Sequence, residues 1–205
     1  MVNLSLCVVT RNQENEIKNF LESIRDLVDE IIFVDTGSND KTVEIANNFG
    51  CKVFNFEQKE GKWIEEARNL SISKASCEWI LVLDSDERIA SKDFGRIRGL
   101  MEKPENKEYM GYYLIQRQYT NDIGVVGWKS SKGDSYKESM SANGWYENPI
   151  LRIFRNDKRI KYEGKPHDLV DWSVKKIGKT CLTDIPIHHF GELNRNKTGK
   201  AARDK

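Results

Sequence analysis

Three carboxylates, Asp84, Asp86 and Glu87, lie at the end of the apolar run 79–83. Negative charges at this spacing repel one another unless a cation lies between them. Asp84 and Asp86 can face one hard divalent cation such as Mg²⁺, which takes oxygen ligands and shares its coordination shell with substrate phosphates and water. A solvated acidic turn or a cluster at a helix N-terminus would use the same residue types. The apolar strand before the carboxylates favours the metal site.

Two other predicted strands also end in polar residues. The first ends in TRN at residues 10–12, and the second ends in DTGS at residues 35–38. In an open parallel α/β sheet, ligands bind beyond the carboxyl ends of the strands. We therefore expect both segments to lie beside the carboxylates, with Arg68 and Asn69 of a following helix in reach of the same crevice.

The first hundred residues alternate between short apolar runs and amphipathic segments. Gly50 stands where a left-handed residue would end a helix. Continuous apolar strands in alternation with helices predict a parallel sheet covered on both faces. The predicted strands are 4–10, 30–37, 51–56 and 78–84, and the predicted helices are 16–28, 38–50, 62–75 and 92–101.

The second half of the chain has weaker periodicity. Residues 121–144 are polar and contain four glycines, which predicts a mobile loop of a length that is usually functional or disordered. A basic, polar tail begins at Asn194. The predicted strands are 110–120, 148–156, 159–170 and 183–191.

The charge of the chain is nearly balanced, with 33 Lys and Arg against 32 Asp and Glu. This balance argues against nucleic acid as a partner. The apolar runs are too short to span a bilayer, and the N-terminus opens on a strand without a signal peptide. The four cysteines form no C-x-x-C pair, so we expect reduced thiols in a cytoplasmic protein.

The chain resembles the GT-A-fold glycosyltransferases of family 2 in the order and spacing of SLCVVTRNQENEIKNFLESI, EIIFVDTGSNDKTVEIA and EARNLSISKASCEWILVLDSDE. The resemblance is close over residues 3–90. It implies an α/β fold with a Rossmann-like, mostly parallel sheet and helices on both faces. It also implies one catalytic domain over 1–205, in which 1–100 binds the nucleotide sugar, 101–193 binds the acceptor and 194–205 is a basic tail.

The resemblance further implies roles for residues of the donor site. Asp84-Ser85-Asp86 becomes the D-x-D motif of the family, with Asp86 as the direct metal ligand. The residues implied at the nucleotide sugar are Thr10, Arg11, Glu14, Asp35, Arg68, Asp84 and Ser85.

Two of these roles have a chemical rationale and a competing interpretation. Asp35 can accept a hydrogen bond from the N3–H of uracil, a donor that adenine and cytosine lack, or it can cap a helix that starts near residue 39. Arg68 offers a planar fork for phosphate or a carbonyl group, or it belongs to a solvent-facing ladder of charges on its helix.

The second half is similar to small bacterial enzymes of the same family, through NPILRIFRN, YEGKPHDLV and IPIHHFG. The departure is Pro166-His167-Asp168, where that subgroup carries Val-His-Glu, so the carboxylate of Asp168 has a shorter reach. His188 and His189 are adjacent on a predicted strand and must point to opposite faces. The resemblance implies that one of them contacts the metal or the diphosphate, and we predict His189 as a metal ligand.

The function implied is inverting transfer of a sugar from a nucleotide diphosphate donor, a UDP-sugar, to an acceptor hydroxyl. Asp86, Asp84 and His189 would hold Mg²⁺ or Mn²⁺. Asp168 is the first candidate for the general base and Glu147 the second. The loop 121–144 would close over the donor.

The implied acceptor is a glycan, a lipid-linked molecule or a protein. Peripheral contact with the inner face of the membrane would come from the basic tail. The aromatic side chains that either stack on the acceptor or pack in the core are Trp128, Trp145, Tyr146 and Trp172.

Three other functions fit parts of the pattern. A non-catalytic module on this fold would bind UDP with metal and transfer nothing. A phosphatase of the haloacid-dehalogenase type also uses D-x-D, but after its first strand. A nucleotidyltransferase would carry a glycine-rich loop after the first strand, whereas residues 10–16 contain no glycine.

Overall fold

The computed structural model describes residues 2–57, 64–163 and 169–198. Its first part alternates strands and helices, and strands β1, β2, β3 and β4 pair in parallel in the order β3-β2-β1-β4. Every residue of β1 is buried because the strand lies between β2 and β4 with helices above and below. The elements are β1 (Leu4–Thr10), α1 (Ile17–Ile24), β2 (Glu30–Asp35), α2 (Thr42–Asn48), β3 (Lys52–Asn55), α3 (Glu65–Lys74) and β4 (Trp79–Val82).

The second part extends the same sheet with mixed strand directions. Strand β8 pairs antiparallel with β4, and β6, β9 and β5 continue the sheet beyond it, while β7 pairs with β8. The elements are β5 (Glu87–Arg88), α4 (Phe94–Glu102), β6 (Tyr109–Thr120), β7 (Lys129–Ser130), β8 (Gly144–Arg155), α5 (Asp171–Lys175), β9 (Lys179–His189) and α6 (Gly191–Thr198).

The sheet has an apolar core on each face, since successive strand residues point to opposite sides. One core packs α1 and α4 against alternate residues of the central strands, such as Leu6, Phe33 and Leu81. The other core packs Ile72 of α3 and Val174 of α5 against the opposite side chains of the same strands. The α/β fold predicted from sequence, with helices on both faces, is therefore confirmed.

Several predicted boundaries differ from the observed ones. Helix α2 begins at Thr42 rather than at residue 38, because the polar side chains before it bind backbone groups instead of entering the helix. Gly50 has φ +76° and ends the segment after α2 as predicted. Strand β8 begins at Gly144, earlier than predicted. Residues 194–198 of the predicted tail lie within α6, and the rest of the tail lies outside the described residues.

The segment 159–170 is the largest departure from the predicted elements. Only the bridge between Glu163 and Leu169 has strand character among its described residues, and residues 164–168 lie outside the part that the structure describes. The helix α5 that follows was not predicted from sequence. In the described residues no helix combines the length and apolar character needed to cross a membrane.

Candidate active site

The polar strand ends meet at one edge of the sheet. Thr10 at the end of β1 is the register partner of Asp35 at the end of β2. The hydroxyl oxygen of Thr10 also lies 3.5 Å from that of Ser85 in the D-x-D turn after β4. The predicted convergence of these three strand ends is therefore observed.

The loops after β1 and β2 hold each other in place through side chains. Arg11 donates from Nε to the carbonyl of Gly37 at 3.1 Å. Glu14 accepts the backbone N–H of Lys41 at 3.1 Å. The side chains of Arg11 and Glu14 thus shape the rim of the crevice, and their contact with a nucleoside stays a prediction.

Asp35 holds a tight turn and keeps one acceptor unused. Its Oδ2 accepts the backbone N–H groups of Gly37 and Ser38 at 3.0 and 2.9 Å. Because α2 begins only at Thr42, Asp35 does not cap that helix. Its Oδ1 is buried and has no hydrogen-bond partner in the part of the chain that the structure describes. A buried acceptor without a donor is costly, so this oxygen is suited to an incoming N–H group.

Asp84 binds two arginines. Its Oδ1 lies 3.0 Å from Arg68 Nη2, and its Oδ2 lies 3.0 Å from Arg152 Nη2. Burial alone would raise the pKa of Asp84, but the two guanidinium groups outweigh burial and hold that pKa well below its usual range. Arg68 also lies over the ring of Tyr162, with its Cζ 5.6 Å from the ring centroid. The interpretation that Arg68 belongs to a solvent-facing ladder of charges on its helix is therefore wrong.

Glu87 and Arg152 form a buried ion pair beneath the D-x-D turn. The exposed fraction of Glu87 is 0% and that of Arg152 is 4%, and Glu87 Oε1 lies 2.7 Å from Arg152 Nη2. Glu87 Oε2 accepts the backbone N–H of Asp84 at 2.9 Å. Burial raises the pKa of Glu87, and Arg152 opposes that shift.

Neither residue of this pair is among the site residues predicted from sequence. The available signal was an arginine inside the apolar run ILRIF at 150–154. A charged residue at such a position has to meet an opposite charge within the fold.

His188 and His189 point to opposite faces, as predicted. His188 is fully buried, and its Nδ1 lies 2.7 Å from the hydroxyl of Tyr119. Burial lowers the pKa of His188 to about 4. His189 faces the D-x-D turn, with its Nε2 3.3 Å from Asp86 Oδ2. Burial would lower the pKa of His189, but Asp86 outweighs burial and raises it.

Asp86 and His189 converge on a space that Gly191 leaves open. A Cβ atom at Gly191 would lie 2.7 Å from His189 Nε2 and 2.8 Å from Asp86 Oδ2. In the described residues no group of three His, Cys, Asp or Glu side chains converges on one point. Two protein ligands with phosphate oxygens and water are nevertheless a common arrangement for Mg²⁺. The residues present therefore fit a divalent cation shared with a diphosphate.

A cavity of about 240 Å³ opens beside Asp84 and is lined by Arg68, Tyr162 and His189 among others. A larger cavity of about 730 Å³ lies between α3 and residues 156–161, away from the D-x-D turn. We take the smaller cavity as the candidate active site because Asp84 of the D-x-D turn lines it together with Arg68 and His189. Asn69 lines the larger cavity and Tyr162 the smaller one, and Asn69 exchanges two hydrogen bonds with the backbone of Tyr162, at 3.0 and 2.8 Å.

The structure describes only one of the two residues predicted as the general base. Asp168 lies outside the described residues, so its role stays a prediction. Glu147 is held by Lys129 at 2.6 Å and by Trp145 Nε1 at 3.0 Å. Burial would raise the pKa of Glu147, but Lys129 and Trp145 lower it. These contacts occupy its oxygens and weaken it as a base.

The loop 121–144 is attached to the extended sheet. Asp134 lies 3.1 Å from Arg117 Nη1, and the guanidinium of Arg117 lies between the rings of Tyr136 and Trp145. Trp145 therefore packs in a buried cluster. Trp172, by contrast, is 65% exposed on α5. Stacking of Trp128, Trp145, Tyr146 or Trp172 on an acceptor stays a prediction.

The sequence model described as "Glycosyl transferase family 2" matches residues 5–163 of the 205 in the chain. The match covers more than half of the chain. The chain belongs to glycosyl transferase family 2. The family predicted from sequence is thus confirmed.

Curated relatives of this family 2 chain are longer than the chain. A TPR repeat-containing protein of Synechococcus elongatus is 29% identical over an alignment of 201 residues that covers 93% of the chain and 43% of that protein. The SPbeta prophage-derived glycosyltransferase SunS of Bacillus subtilis is 26% identical over 187 residues, 90% of the chain and 38% of that protein. The chain thus spans about two fifths of the length of these relatives.

Solved structures share the fold of this family 2 chain. S. aureus TarS 1–349 in complex with UDP-GlcNAc aligns with a TM-score of 0.60 at 18% identity, covering 89% of the chain and 56% of that structure. Glucosyl-3-phosphoglycerate synthase from Mycobacterium tuberculosis, in complex with Mn²⁺ and UDP-glucose, aligns with a TM-score of 0.58 at 15% identity, covering 94% and 74%. Similarity at this level identifies the GT-A fold.

Proposed function

We propose that this family 2 domain transfers a sugar from a UDP-sugar to an acceptor hydroxyl, with inversion at the anomeric carbon. The observation that carries the proposal is the convergence of Asp86 and His189 on the space beside Gly191, at the edge where Thr10 and Asp35 also lie. The UDP-sugar complexes of the two fold neighbours support a nucleotide-sugar donor.

The donor base would bind at Asp35. Its buried Oδ1 has no donor among the described residues, and the N3–H of uracil supplies one. Cytosine and adenine present no N–H at the corresponding position, so this acceptor would discriminate in favour of uridine nucleotides. Thr10, Arg11 and Glu14 would border the nucleoside from the loop after β1.

The diphosphate would lie between the D-x-D turn and Arg68. Asp86 and His189 would hold Mg²⁺ or Mn²⁺, which as a Lewis acid stabilises negative charge on a departing diphosphate. Arg68 is held by Asp84 through Nη2 and can donate to a phosphate oxygen through its other N–H groups. We propose that Asp84 acts mainly by orienting Arg68 and Arg152, since both of its oxygens bind arginine.

The acceptor hydroxyl would approach C1 from the side opposite the diphosphate. Its proton would pass to a carboxylate oxygen as the new C1–O bond forms and the bond from C1 to the diphosphate oxygen breaks. We retain Asp168 as the base, because the ion pairs of Glu147 leave it a weak proton acceptor. A glycan, a lipid-linked molecule and a protein remain the proposed acceptor classes, with membrane contact through the tail 194–205.

Thermal melting with UDP and Mn²⁺ tests the donor site. A ligand at a hundredfold excess over its Kd should raise the melting temperature of a domain of this size by about 5–10 °C. We expect this rise with UDP and Mn²⁺ together and not with AMP. Asp86→Asn should remove the metal-dependent part of the rise in melting temperature. Asp35→Ala should remove the preference for uridine nucleotides. Asp122→Asn at the exposed loop serves as the control. No shift with any nucleoside diphosphate would contradict the proposal.

A further inference from the structure

Seven polar side chains form a continuous path of polar contacts from one aspartate of the D-x-D motif to the other. Five hydrogen bonds lead from Asp84 to His189, and the contact of His189 Nε2 with Asp86 Oδ2 completes the path. The path runs beneath the turn and crosses strands β8, β6 and β9. Its members, in order, are Asp84, Arg152, Glu87, Gln116, Gln118, His189 and Asp86. Only the two aspartates and His189 belong to the site predicted from sequence.

The direction of the hydrogen bonds in this path is set at Glu87. Its carboxylate is approached by the backbone N–H of Asp84 and by the guanidinium of Arg152, and both groups can only donate. Glu87 is therefore an acceptor towards all its neighbours. Gln116, which is 7% exposed, must turn its amide NH₂ towards Glu87.

The same order of donors and acceptors continues along strand β6. With its NH₂ group on Glu87, Gln116 presents its carbonyl oxygen to Gln118, whose Nε2 donates at 2.5 Å. Gln118 then presents its own carbonyl oxygen to Nδ1 of His189. A carbonyl oxygen only accepts, so Nδ1 of His189 has to carry a proton.

We propose that Gln116 and Gln118 are positioning residues that fix His189 as the Nδ1–H tautomer. Nε2 then carries the lone pair, and this nitrogen faces Asp86 Oδ2 and the space beside Gly191. A metal ligand needs such a lone pair, and its tautomer is set by the hydrogen bond of the other ring nitrogen. The inference rests on the proposed function for the metal, but the assignment of the tautomer does not.

Without this path the neighbouring carboxylate would favour the opposite arrangement. A neutral ring with its proton on Nε2 would donate to Asp86 Oδ2 and occupy the direction from which a cation must be bound. The glutamine pair opposes this arrangement, because a ring without a proton on Nδ1 would set a lone pair against the carbonyl oxygen of Gln118.

Nitrogen NMR of the metal-free protein tests the tautomer directly. The chain contains three histidines, and the signal of His189 is assigned by its loss in His189→Gln. The spectrum is recorded at a pH above which the ring signals no longer shift, so that the neutral ring is observed. We expect the proton on Nδ1 in the wild-type protein. A proton on Nε2 would overturn the proposal, whatever the metal does.

Two substitutions at one position separate hydrogen-bond direction from packing. Gln118→Met fills the same space without an acceptor, so the proton should move to Nε2. Mn²⁺ affinity in the presence of UDP should then fall about 10–100-fold, as for other groups that orient metal ligands. Gln118→Glu keeps an acceptor-only oxygen towards Nδ1 and should keep the wild-type tautomer and most of the affinity. An unchanged tautomer and affinity in Gln118→Met would overturn the proposal.

The two measurements also distinguish failure of the tautomer assignment from failure of the metal site. A wild-type protein with the Nδ1–H tautomer that binds no Mn²⁺ with UDP would refute the proposed metal role and leave the tautomer assignment standing. Melting curves of both Gln118 variants show whether each is folded before its affinity is compared.

Discussion

Gly191 faces His189 so closely that a β-carbon on Gly191 would lie 2.7 Å from His189 Nε2. Gly191→Ala should therefore push His189 or Asp86 out of position, since real Cβ contacts do not occur at this distance. We expect a folded protein whose melting temperature no longer rises with Mn²⁺ in the presence of UDP.

A second glycine provides the matched control. Gly95 lies inside α4, and a Cβ atom there would have no neighbour within 4 Å. Gly95→Ala should keep the Mn²⁺ response and stabilise the fold by up to about 1 kcal/mol, because alanine favours the helix. If both variants kept the response, the space beside Gly191 would have no role in metal binding.

Arg152→Met should destabilise the protein by about 3–5 kcal/mol, because Glu87 would be left as a buried charge with no cation. Urea denaturation at neutral pH measures the change in unfolding free energy. Arg159→Met is the control: its side chain is 67% exposed and pairs with Asp157 at the surface, so the change should stay within about 1 kcal/mol. The double variant Arg152→Met with Glu87→Gln should recover part of the lost unfolding free energy. An equal loss in the single and the double variant would contradict this explanation.

The lowered pKa of Glu30 predicts how the free energy of unfolding changes as the pH falls. Burial would raise the pKa of Glu30, but its bonds to Lys52, Ser5 and Ser76 outweigh burial and lower the pKa to about 2. The folded state thus binds fewer protons than the unfolded state between about pH 4.5 and pH 2, so the contribution of Glu30 is complete above 4.5 and is lost as pH falls through 2.

Glu30→Gln should therefore cost about 1–2 kcal/mol at pH 7, a value reduced for the solvent exposure of Lys52. The cost should shrink as the pH is lowered towards 2. Denaturation of both proteins over this pH range checks the trend, with Glu22→Gln at an exposed helical position as the control. A cost independent of pH would show that the charge of Glu30 does not contribute.

Asp134→Asn should loosen the loop 121–144 by removing the ion pair to Arg117. Limited trypsin digestion should then cut faster at Lys129, Lys132 or Lys137. Asp122→Asn changes the same charge at an exposed point of the loop and should not alter the rate. If the loop closes over the donor, UDP and Mn²⁺ should slow cleavage of the wild-type chain, and equal rates with and without ligand would argue against closure.

The central strands could be predicted from sequence because their signal is local. The apolar run at 4–10 predicts strand β1 with its observed bounds, since an apolar run between polar neighbours has few alternatives. The convergence of Thr10, Asp35 and the D-x-D turn followed from the parallel direction of the strands. Helix α2 was placed four residues too early, because its polar start binds the neighbouring loop, a contact that sequence alone does not indicate.

The polar path beneath the turn could not be predicted in this way. Nothing in the sequence around Gln116 and Gln118 marks them as part of a site. Their role depends on hydrogen bonds to Glu87 and His189, which come from distant parts of the chain. The apolar run around Arg152 signalled a buried charge but not its partner. Pairings of this kind require the order of the strands in the sheet, which residue spacing does not specify.

The pairing of Glu87 with Arg152 has a consequence for synthesis of the chain. The two residues are 65 positions apart (152 − 87), and at the usual pace of translation roughly 3–13 s pass between their additions. During that interval the carboxylate of Glu87 has no ion-pair partner, because Arg152 has not yet been added to the chain. The turn lacks this partner until strand β8 has left the ribosome, so we expect it to become ordered later than the parallel strands β1, β2 and β3.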